Sequence, residues 1–194
     1  EKVLGQNYFI RQTLQRISLQ EQDAAGDAYE QSQLLGTAQV RQETTRTLYR
    51  TLPVAIWDVE RPALYNLTVE LLKGDIILDR KVTRFGFRNA VFRSEGFYLN
   101  GRKYTIRGLN RHQSYPYVGY AMPASMQRLD ADILKKELCV NAVRTSHYPQ
   151  SHDFIDRCDE LGLLVLMEIP GWQYIGNEEW NDQAIVNLKE MILQ

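Results

Sequence analysis

The chain has 194 residues, 44% of them hydrophobic, and a net charge of −1 from 23 Lys and Arg against 24 Asp and Glu. This balance argues against nucleic acid as a partner, because a phosphate backbone requires a basic excess. The length excludes a complete (β/α)₈ barrel of about 250 residues, and the longest apolar stretch, Leu163–Met167, is far short of the roughly 20 residues that span a membrane.

The first part of the chain shows the two-residue periodicity of β-strands. Tyr65, Leu67, Val69 and Leu71 alternate with polar residues, which predicts a half-buried strand. Turn residues at 73–75 separate it from a second β-rich segment over 76–87, so the two are predicted to form a hairpin. Further strands are predicted over 36–42 and 45–53. No helix is predicted before residue 88, although 12–20 is ambiguous, and an antiparallel β-sandwich is expected.

The spacing of apolar residues along the sequence changes after Arg88. Asn100-Gly101 favours a tight turn between Phe97–Leu99 and Lys103–Arg107. Apolar residues at helical spacing then predict a helix, with Met126, Leu129, Ile133, Leu134 and Leu138 on one face. A strand over 141–146, a helix over 152–161 stopped by Gly162, a buried strand over 163–168 and a helix from Asn181 to the end follow. This alternation predicts an α/β fold with parallel strands.

Polar residues follow each of the three strands predicted in this second part. They are Asn110, Arg111 and His112 after the first, His147 and Tyr148 after the second, and Glu168 and then Trp172 after the third. Ligands of parallel α/β folds bind beyond the carboxyl ends of the strands. Each histidine taken alone more often has a hydrogen-bonded structural role, and their convergence at successive strand ends brings the functional and structural interpretations to about equal weight.

Two chemical alternatives remain open for these residues. His112, His147 and Glu168 could supply two imidazoles and a carboxylate to zinc, although their spacing does not form a local ligand motif. Trp172 and Tyr174 could stack on the face of a sugar or simply pack against the rim of the sheet.

Several sequence strings resemble those of one enzyme family. Residues 141–149, NAVRTSHYP, followed by Phe154-Ile155, Asp159 and 162–166, resemble the first signature of glycoside hydrolase family 2, which contains β-galactosidases, β-glucuronidases and β-mannosidases. Shorter strings agree in family order: Ile56-Trp57, 62–65, 85–88, 99–101 and 107–112.

The resemblance implies a multidomain protein. Residues 1–87 are expected to form an immunoglobulin-like antiparallel β-sandwich, and residues 88–194 the first part of a (β/α)₈ TIM barrel. It implies a retaining glycosidase acting on terminal β-glycosidic bonds of a carbohydrate substrate, most similar to the β-galactosidases.

Retaining hydrolysis needs two carboxyl groups about 5 Å apart. The family's acid/base glutamate follows the fourth strand and its nucleophile lies on the seventh, so no catalytic residue is expected here and the fragment alone is predicted to be inactive. Asn177-Glu178 lies too early and lacks the family's preceding Trp and Gly.

The matching positions imply a pocket wall. His112 and His147 resemble the family histidines that bind sugar hydroxyls near the scissile bond, and Arg144 resembles the arginine that orients the nucleophile. Asn110 is expected to contact substrate, Glu168 to support these residues, and Trp172 to provide an aromatic platform. Magnesium-dependent members carry Glu and His where this chain has Trp172 and Tyr174, so neither a metal nor another cofactor is expected.

Some alternatives stay open at this stage. The chain could instead be a non-catalytic carbohydrate-binding or structural module, or belong to a β-glucuronidase. A homo-oligomeric full-length protein is compatible with the sequence, and the compartment stays undecided between cytoplasm and periplasm.

Overall fold

A computed structural model describes residues 8–17, 28–36 and 53–193. These residues divide into two compact units. The first comprises the residues up to Trp57 together with Ala63–Arg88, and the second comprises Asp58–Pro62 together with the residues from Asn89 onward. The short segment Asp58–Pro62 thus belongs to the second unit, although Ala63–Arg88 of the first unit separates it from the rest.

The first unit contains a four-stranded antiparallel sheet. Its strands are β1 (Tyr8–Arg16), β2 (Ala28–Gly36), β3 (Tyr65–Lys73) and β4 (Ile76–Phe85), in the spatial order β2-β1-β3-β4. The predicted β3–β4 hairpin is confirmed, and Gly74 in its turn has φ of 59°. The ambiguous 12–20 segment is extended through Arg16.

The other two strands predicted in this part, over 36–42 and 45–53, lie mostly outside the described residues. Gly36, the first residue of one, is the last residue of β2, and Pro53, the last residue of the other, is not in a strand. Strand β2 was not predicted, because its polar sequence lacks the alternation that marks a half-buried strand.

The short strings of the first unit meet around Trp57. The amide of Trp57 donates to the carbonyl of Phe87 at 2.8 Å, and the indole is 2% exposed. A Cβ placed on Gly86 would lie 2.9 Å from the Cβ of Trp57, so only glycine allows this approach. Tyr65 completes the cluster, edge-on to Phe87 at 5.3 Å. Residues far apart in sequence thus form one packed corner.

The second unit begins with a small antiparallel meander of β5 (Ala90–Arg93), β6 (Gly96–Leu99) and β7 (Arg102–Lys103). The predicted turn is confirmed, since Asn100 and Gly101 have φ of 52° and 80°. Strand β7 is shorter than predicted. The side chain of Asn141 accepts from the amide of Arg107 at 2.7 Å and donates to the carbonyl of Thr105 at 2.9 Å, which draws this segment away from the meander.

Three parallel strands alternate with helices in the rest of the unit. They are β8 (Gly108–Arg111), β9 (Ala142–Thr145) and β10 (Leu164–Leu166), in the order β10-β9-β8. The helices are α1 (Ala124–Asp132), continued by a π-helical turn over Ile133–Glu137, α2 (His152–Leu161) and α3 (Glu178–Leu193). The predicted α/β alternation is confirmed, and the sheet is open within the described residues. Asn110 and Arg111 lie in β8 rather than after it.

Two helix predictions need correction. On α1 the buried residues are Gln127, Ala131 and, in the π-helical turn, Leu134, whereas the predicted face residues Leu129 and Leu138 are exposed. The π-helical turn explains part of the difference, because its wider hydrogen bonding turns Leu138 off the face. Helix α3 starts at Glu178 instead of Asn181, since the side chain of Asn177 accepts from the amide of Trp180 at 3.0 Å and caps the helix.

Helices α1 and α2 pack on one side of the parallel sheet. A cluster of apolar residues with exposed fractions of 0–8% is buried between them. It consists of Ala131, Leu134, Val143, Phe154, Cys158 and Leu163. Side chains alternate across a strand, so burying Val143 on this side directs its neighbours Ala142 and Arg144 to the opposite face. The helices therefore decide which residues of β9 line the open side.

The segment Asp58–Pro62 is fixed against the end of α2. Val59 is 2% exposed, and its carbonyl accepts a hydrogen bond from the ammonium of Lys135 at 2.8 Å. The same ammonium binds the carbonyl of Gly162 at 3.0 Å, and burial lowers the pKa of Lys135 despite the nearby acidic side chains. Gly162 ends α2 with φ of 74°.

We expect Gly162→Ala to destabilise the second unit strongly. A Cβ at this position would lie 2.2 Å from the carbonyl oxygen of Val59, in addition to the strained φ. The matched control is Gly101→Ala, which has φ of 80° and nothing within 4 Å of the added Cβ. Backbone strain alone predicts a loss of about 1 kcal/mol for the control, and overpacking adds about 1–3 kcal/mol for Gly162→Ala. Chemical denaturation measures the free energy of unfolding of both variants. Equal losses of stability would contradict the contact between Gly162 and Val59.

Candidate functional site

The open face of the parallel sheet brings together side chains from all three strands. Asn110 of β8 and Leu166 of β10 are the direct cross-strand partners of Arg144 in β9. The side chains of such partners share a face, so Asn110 and Arg144 point to the same side. Glu168 lies two residues beyond Leu166, close to the carboxyl end of β10.

Glu168 is the centre of the polar contacts on this face. Its Oε1 forms an ion pair with Nε of Arg144, and its Oε2 lies 3.1 Å from Nδ1 of His147. The backbone amide of Glu168 donates to the hydroxyl of Thr145 at 3.2 Å, which fixes the start of the loop. Two side chains from β9 and its following loop are thereby tied to one carboxylate after β10.

These contacts lower the pKa of the Glu168 carboxyl. Desolvation is the largest single influence and raises the pKa, but it is outweighed by hydrogen bonds from Arg144 and His147 and by their charge. The carboxylate is therefore ionised at neutral pH and can only accept hydrogen bonds. Nδ1 of His147 must then carry a proton, so the ring nitrogen left for a ligand hydroxyl is Nε2.

Arg144 links this carboxylate to Asn110. Its Nη1 lies 3.4 Å from Oδ1 of Asn110, and its Nη2 lies 3.5 Å from Nδ1 of His147. The protonated Nδ1 cannot accept from this second nitrogen. Because a guanidinium has five donors in a rigid fork, Arg144 retains donors beyond those that Glu168 and Asn110 occupy.

Aromatic rings border the polar group. The ring of His112 meets that of His147 edge to face at a centroid distance of 5.5 Å. The ring of Trp172 lies on His147 too, at a centroid distance of 5.3 Å and an interplanar angle of 33°. Trp172 is 67% exposed and adopts a φ of 48°. All six residues predicted for the site, His112, His147, Asn110, Trp172, Arg144 and Glu168, thus occupy one connected group.

Arg111 lies between two of these residues but has a different environment. It is 6% exposed, its Nη2 lies 2.7 Å from the carboxylate of Asp130, and its guanidinium lies 3.9 Å from the ring centroid of Phe154. Gln127 and Gln150 accept from the same guanidinium. Arg111 therefore faces the helices and anchors β8 to α1, while Asn110 and His112 face the other way.

Two residues that support the site, Gln113 and Tyr148, were assigned no role in it from the sequence. The amide of Gln113 donates to the hydroxyl of Tyr148 at 3.0 Å, and its side-chain oxygen accepts from the amide of Ser151 at 2.7 Å. These bonds join the loop that follows β8 to the loop that follows β9. Their positions directly after His112 and His147 are the only sequence signal that could have pointed to them.

The remaining candidates lie elsewhere. His152 is exposed at the start of α2, and Glu178 is exposed at the start of α3, where Asn177 serves as the helix cap. Within residues 8–17, 28–36 and 53–193, His, Cys, Asp and Glu side chains do not gather in threes as a metal ion would require. In the same residues, every helix falls short of the length and apolar character needed to cross a membrane.

Family models match most of the chain. Residues 91–190 match the model of the glycosyl hydrolases family 2 TIM barrel domain, and residues 11–88 match a second model of glycosyl hydrolases family 2. The first of these alone covers more than half of the sequence.

Individual relatives agree with the family models. A β-galactosidase of Thermoanaerobacterium thermosulfurigenes is 62% identical over 139 residues, which cover 72% of this chain and 19% of the relative. A putative β-glucuronidase of Formosa agariphila is 40% identical over 159 residues, or 80% of this chain and 19% of the relative. The chain thus spans about a fifth of the length of the curated relatives it matches.

The fold also resembles solved structures. The crystal structure of a Parabacteroides merdae β-glucuronidase superimposes with a TM-score of 0.69 at 29% identity, over 97% of this chain and 23% of that one. A Bacteroides uniformis β-glucuronidase 2 gives a TM-score of 0.70 at 29% identity, over 97% and 22% of the two chains.

We expect Glu168→Gln to lower stability at neutral pH and to have little effect in acid. The pKa of this carboxyl lies below its ordinary value of 4.5 in the folded state. Its ionised form therefore stabilises the fold above about pH 4.5, and this contribution is lost as the pH falls through the lower folded value.

The measurement is the thermal midpoint of the wild type and Glu168→Gln between about pH 7 and about pH 3. The difference should narrow as the pH falls below about 4.5. Glu95→Gln, in an exposed turn, is the control and should show no such difference. A difference that persists unchanged to the acid end would mean that the ionised carboxylate does not stabilise the fold.

Proposed function

The chain belongs to glycoside hydrolase family 2, and from this premise we propose that the protein carrying it is a retaining β-glycosidase, most similar to the β-galactosidases. The observation that carries the proposal is the Arg144–Glu168–His147 group, open on one face and bordered by His112 and Trp172. The substrate is a carbohydrate with a terminal β-linked sugar. Residues 1–87 are proposed to be an immunoglobulin-like sandwich and residues 88–194 the start of the TIM barrel.

His147 and His112 are proposed to bind hydroxyl groups of the terminal sugar. With Nδ1 protonated toward Glu168, Nε2 of His147 accepts from a sugar hydroxyl, and the carboxylate makes the ring a stronger acceptor. Asn110, exposed on the same face, offers an amide that can both donate and accept. Such contacts accelerate hydrolysis to the extent that they strengthen as the sugar ring flattens toward the transition state.

Arg144 is proposed to be a positioning residue for a catalytic carboxylate that this chain does not supply. Its Nε is held by Glu168 and its Nη1 by Asn110, so the plane of the guanidinium is fixed while donors remain. A carboxylate bound there stays ionised, as a nucleophile requires. No residue among 1–194 is proposed as the acid/base group or the nucleophile.

Trp172 is proposed to form one wall of the sugar site. Its ring is two-thirds exposed beside His147, which suits contact with the apolar face of a pyranose. The alternative within the family is a β-glucuronidase, which is favoured by the names of the solved structures that resemble this chain.

The full-length protein is expected to release nitrophenol from nitrophenyl β-galactoside faster than from nitrophenyl β-glucuronide. The comparison of kcat/KM on the two substrates decides between the two activities, because they differ only in the sugar. Faster release from the glucuronide would favour the alternative. Release from neither would contradict the glycosidase proposal and favour a non-catalytic carbohydrate-binding module.

His147→Ala in the full-length enzyme is expected to lower kcat/KM about 10- to 100-fold, which corresponds to losing a hydrogen bond that involves a charged network. His152→Ala is the matched control. It removes the third histidine of the chain, which is exposed on α2, and should change kcat/KM less than about twofold. Equal effects of the two substitutions would contradict the proposed role of His147.

A further inference from the structure

Five rings follow one another across the carboxyl ends of the parallel strands. They are Tyr120, Tyr148, His112, His147 and Trp172, and we call them the aromatic row. Successive centroid distances are 6.1, 6.3, 5.5 and 5.3 Å. The last three rings belong to the proposed sugar site, so Tyr148 and Tyr120 extend the row beyond it.

The loop that presents Tyr120 is ordered by its own backbone. Tyr115 and Gly119 exchange two hydrogen bonds of 3.0 and 2.9 Å, and the amide of Ala121 donates to the carbonyl of Val118 at 3.1 Å. Gly119 has φ of 56°, which this tight turn requires. The backbone that carries Tyr120 is therefore held by hydrogen bonds, while the residue is 67% exposed.

Tyr148 connects this loop to the histidines. Its hydroxyl accepts from the amide of Gln113 at 3.0 Å, next to His112 in the chain, and its ring meets Tyr120 at an interplanar angle of 72°. Tyr120 is too exposed to contribute much to a core. An aromatic side chain that stays largely in water beside a second ring suits ligand contact, because its exposed ring is apolar and the backbone that carries it is held by hydrogen bonds.

Tyr120 lies within reach of a ligand in the proposed sugar site. The centroids of His112 and Tyr120 lie no more than about 12 Å apart, since steps of 6.3 and 6.1 Å separate them through Tyr148. With C1 of a sugar bound at His112 and His147 directed toward Tyr148, Tyr120 would face the group attached to that sugar. In a substrate with a terminal β-linked sugar, that group is the leaving group.

We propose that Tyr120, supported by Tyr148, forms a second subsite that stacks against a pyranose ring in the leaving group. This inference rests on the proposed glycosidase function and adds a specificity for disaccharides over simple alkyl glycosides. Tyr120 is a specificity-determining residue in this scheme, and it makes no contact with the reacting bond.

The test compares two substrates of the full-length enzyme that share the terminal sugar. For galactose they are methyl β-galactoside, whose leaving group has no ring, and lactose, whose leaving group is a pyranose. Tyr120→Ala is expected to lower kcat/KM for lactose about three- to tenfold, mainly through KM, as the loss of one ring contact implies. The value for methyl β-galactoside should change less than about twofold.

Two control variants sharpen the result. Tyr120→Phe keeps the ring and should retain the selectivity for lactose. Tyr117→Ala removes a fully exposed tyrosine from the same loop, at a φ of 72°, and should leave both substrates unaffected. An equal loss on both substrates with Tyr120→Ala, or no loss on lactose, would overturn the subsite. A wild-type enzyme inactive on both would instead overturn the glycosidase function on which it rests.

Discussion

The ionised carboxylate of Glu168 is the interaction on which the open face of the second unit depends. Arg144 and His147 come from β9 and its following loop, and both bind this one group after β10. Without the carboxylate, the guanidinium and the imidazole, which lie 3.5 Å apart, would lose the acceptor that they share. The carboxylate also fixes the proton on Nδ1 of His147, and so determines which ring nitrogen is available to a ligand. Charge balance, side-chain orientation and tautomer are thus set by a single residue.

The strands and helices of the second unit were largely predictable because local signals and tertiary structure agree there. Gly162 stops α2 in the left-handed conformation that its sequence position indicated, and Asn100-Gly101 forms the expected turn. Two element bounds were predicted wrongly because side chains bind backbone there. Asn141 shortens β7 by binding Thr105 and Arg107, which are distant in sequence, and Asn177 starts α3 early by capping it through the nearby amide of Trp180. The spacing of apolar residues reports neither kind of hydrogen bond.

The site followed from two different kinds of inference. The position of polar residues at strand ends indicated a site, and the family resemblance assigned their roles. The structure shows His112, His147, Arg144 and Glu168 in contact as one group, which is a geometric fact, while the roles stay proposals. Arg111 shows the limit of the strand-end argument. It was among the polar residues at the same strand end, yet alternation along β8 turns it toward Asp130 and the helices.

The packing of Val59 against Gly162 has a consequence for how this protein can be divided into pieces. Lys135 binds the carbonyl of Val59, which lies 76 positions earlier in the sequence. Part of the surface of the second unit is therefore formed by residues that precede strand β3. A fragment cut at residue 88 would keep every strand and helix of that unit but leave Lys135 with one of its two carbonyl partners and the end of α2 uncovered. Modular exchange between relatives would meet the same constraint. Recombination within 63–88 would join residues 58–62 of one parent to the α/β part of another, and that part would have to carry glycine at position 162 to fit against the backbone of residue 59.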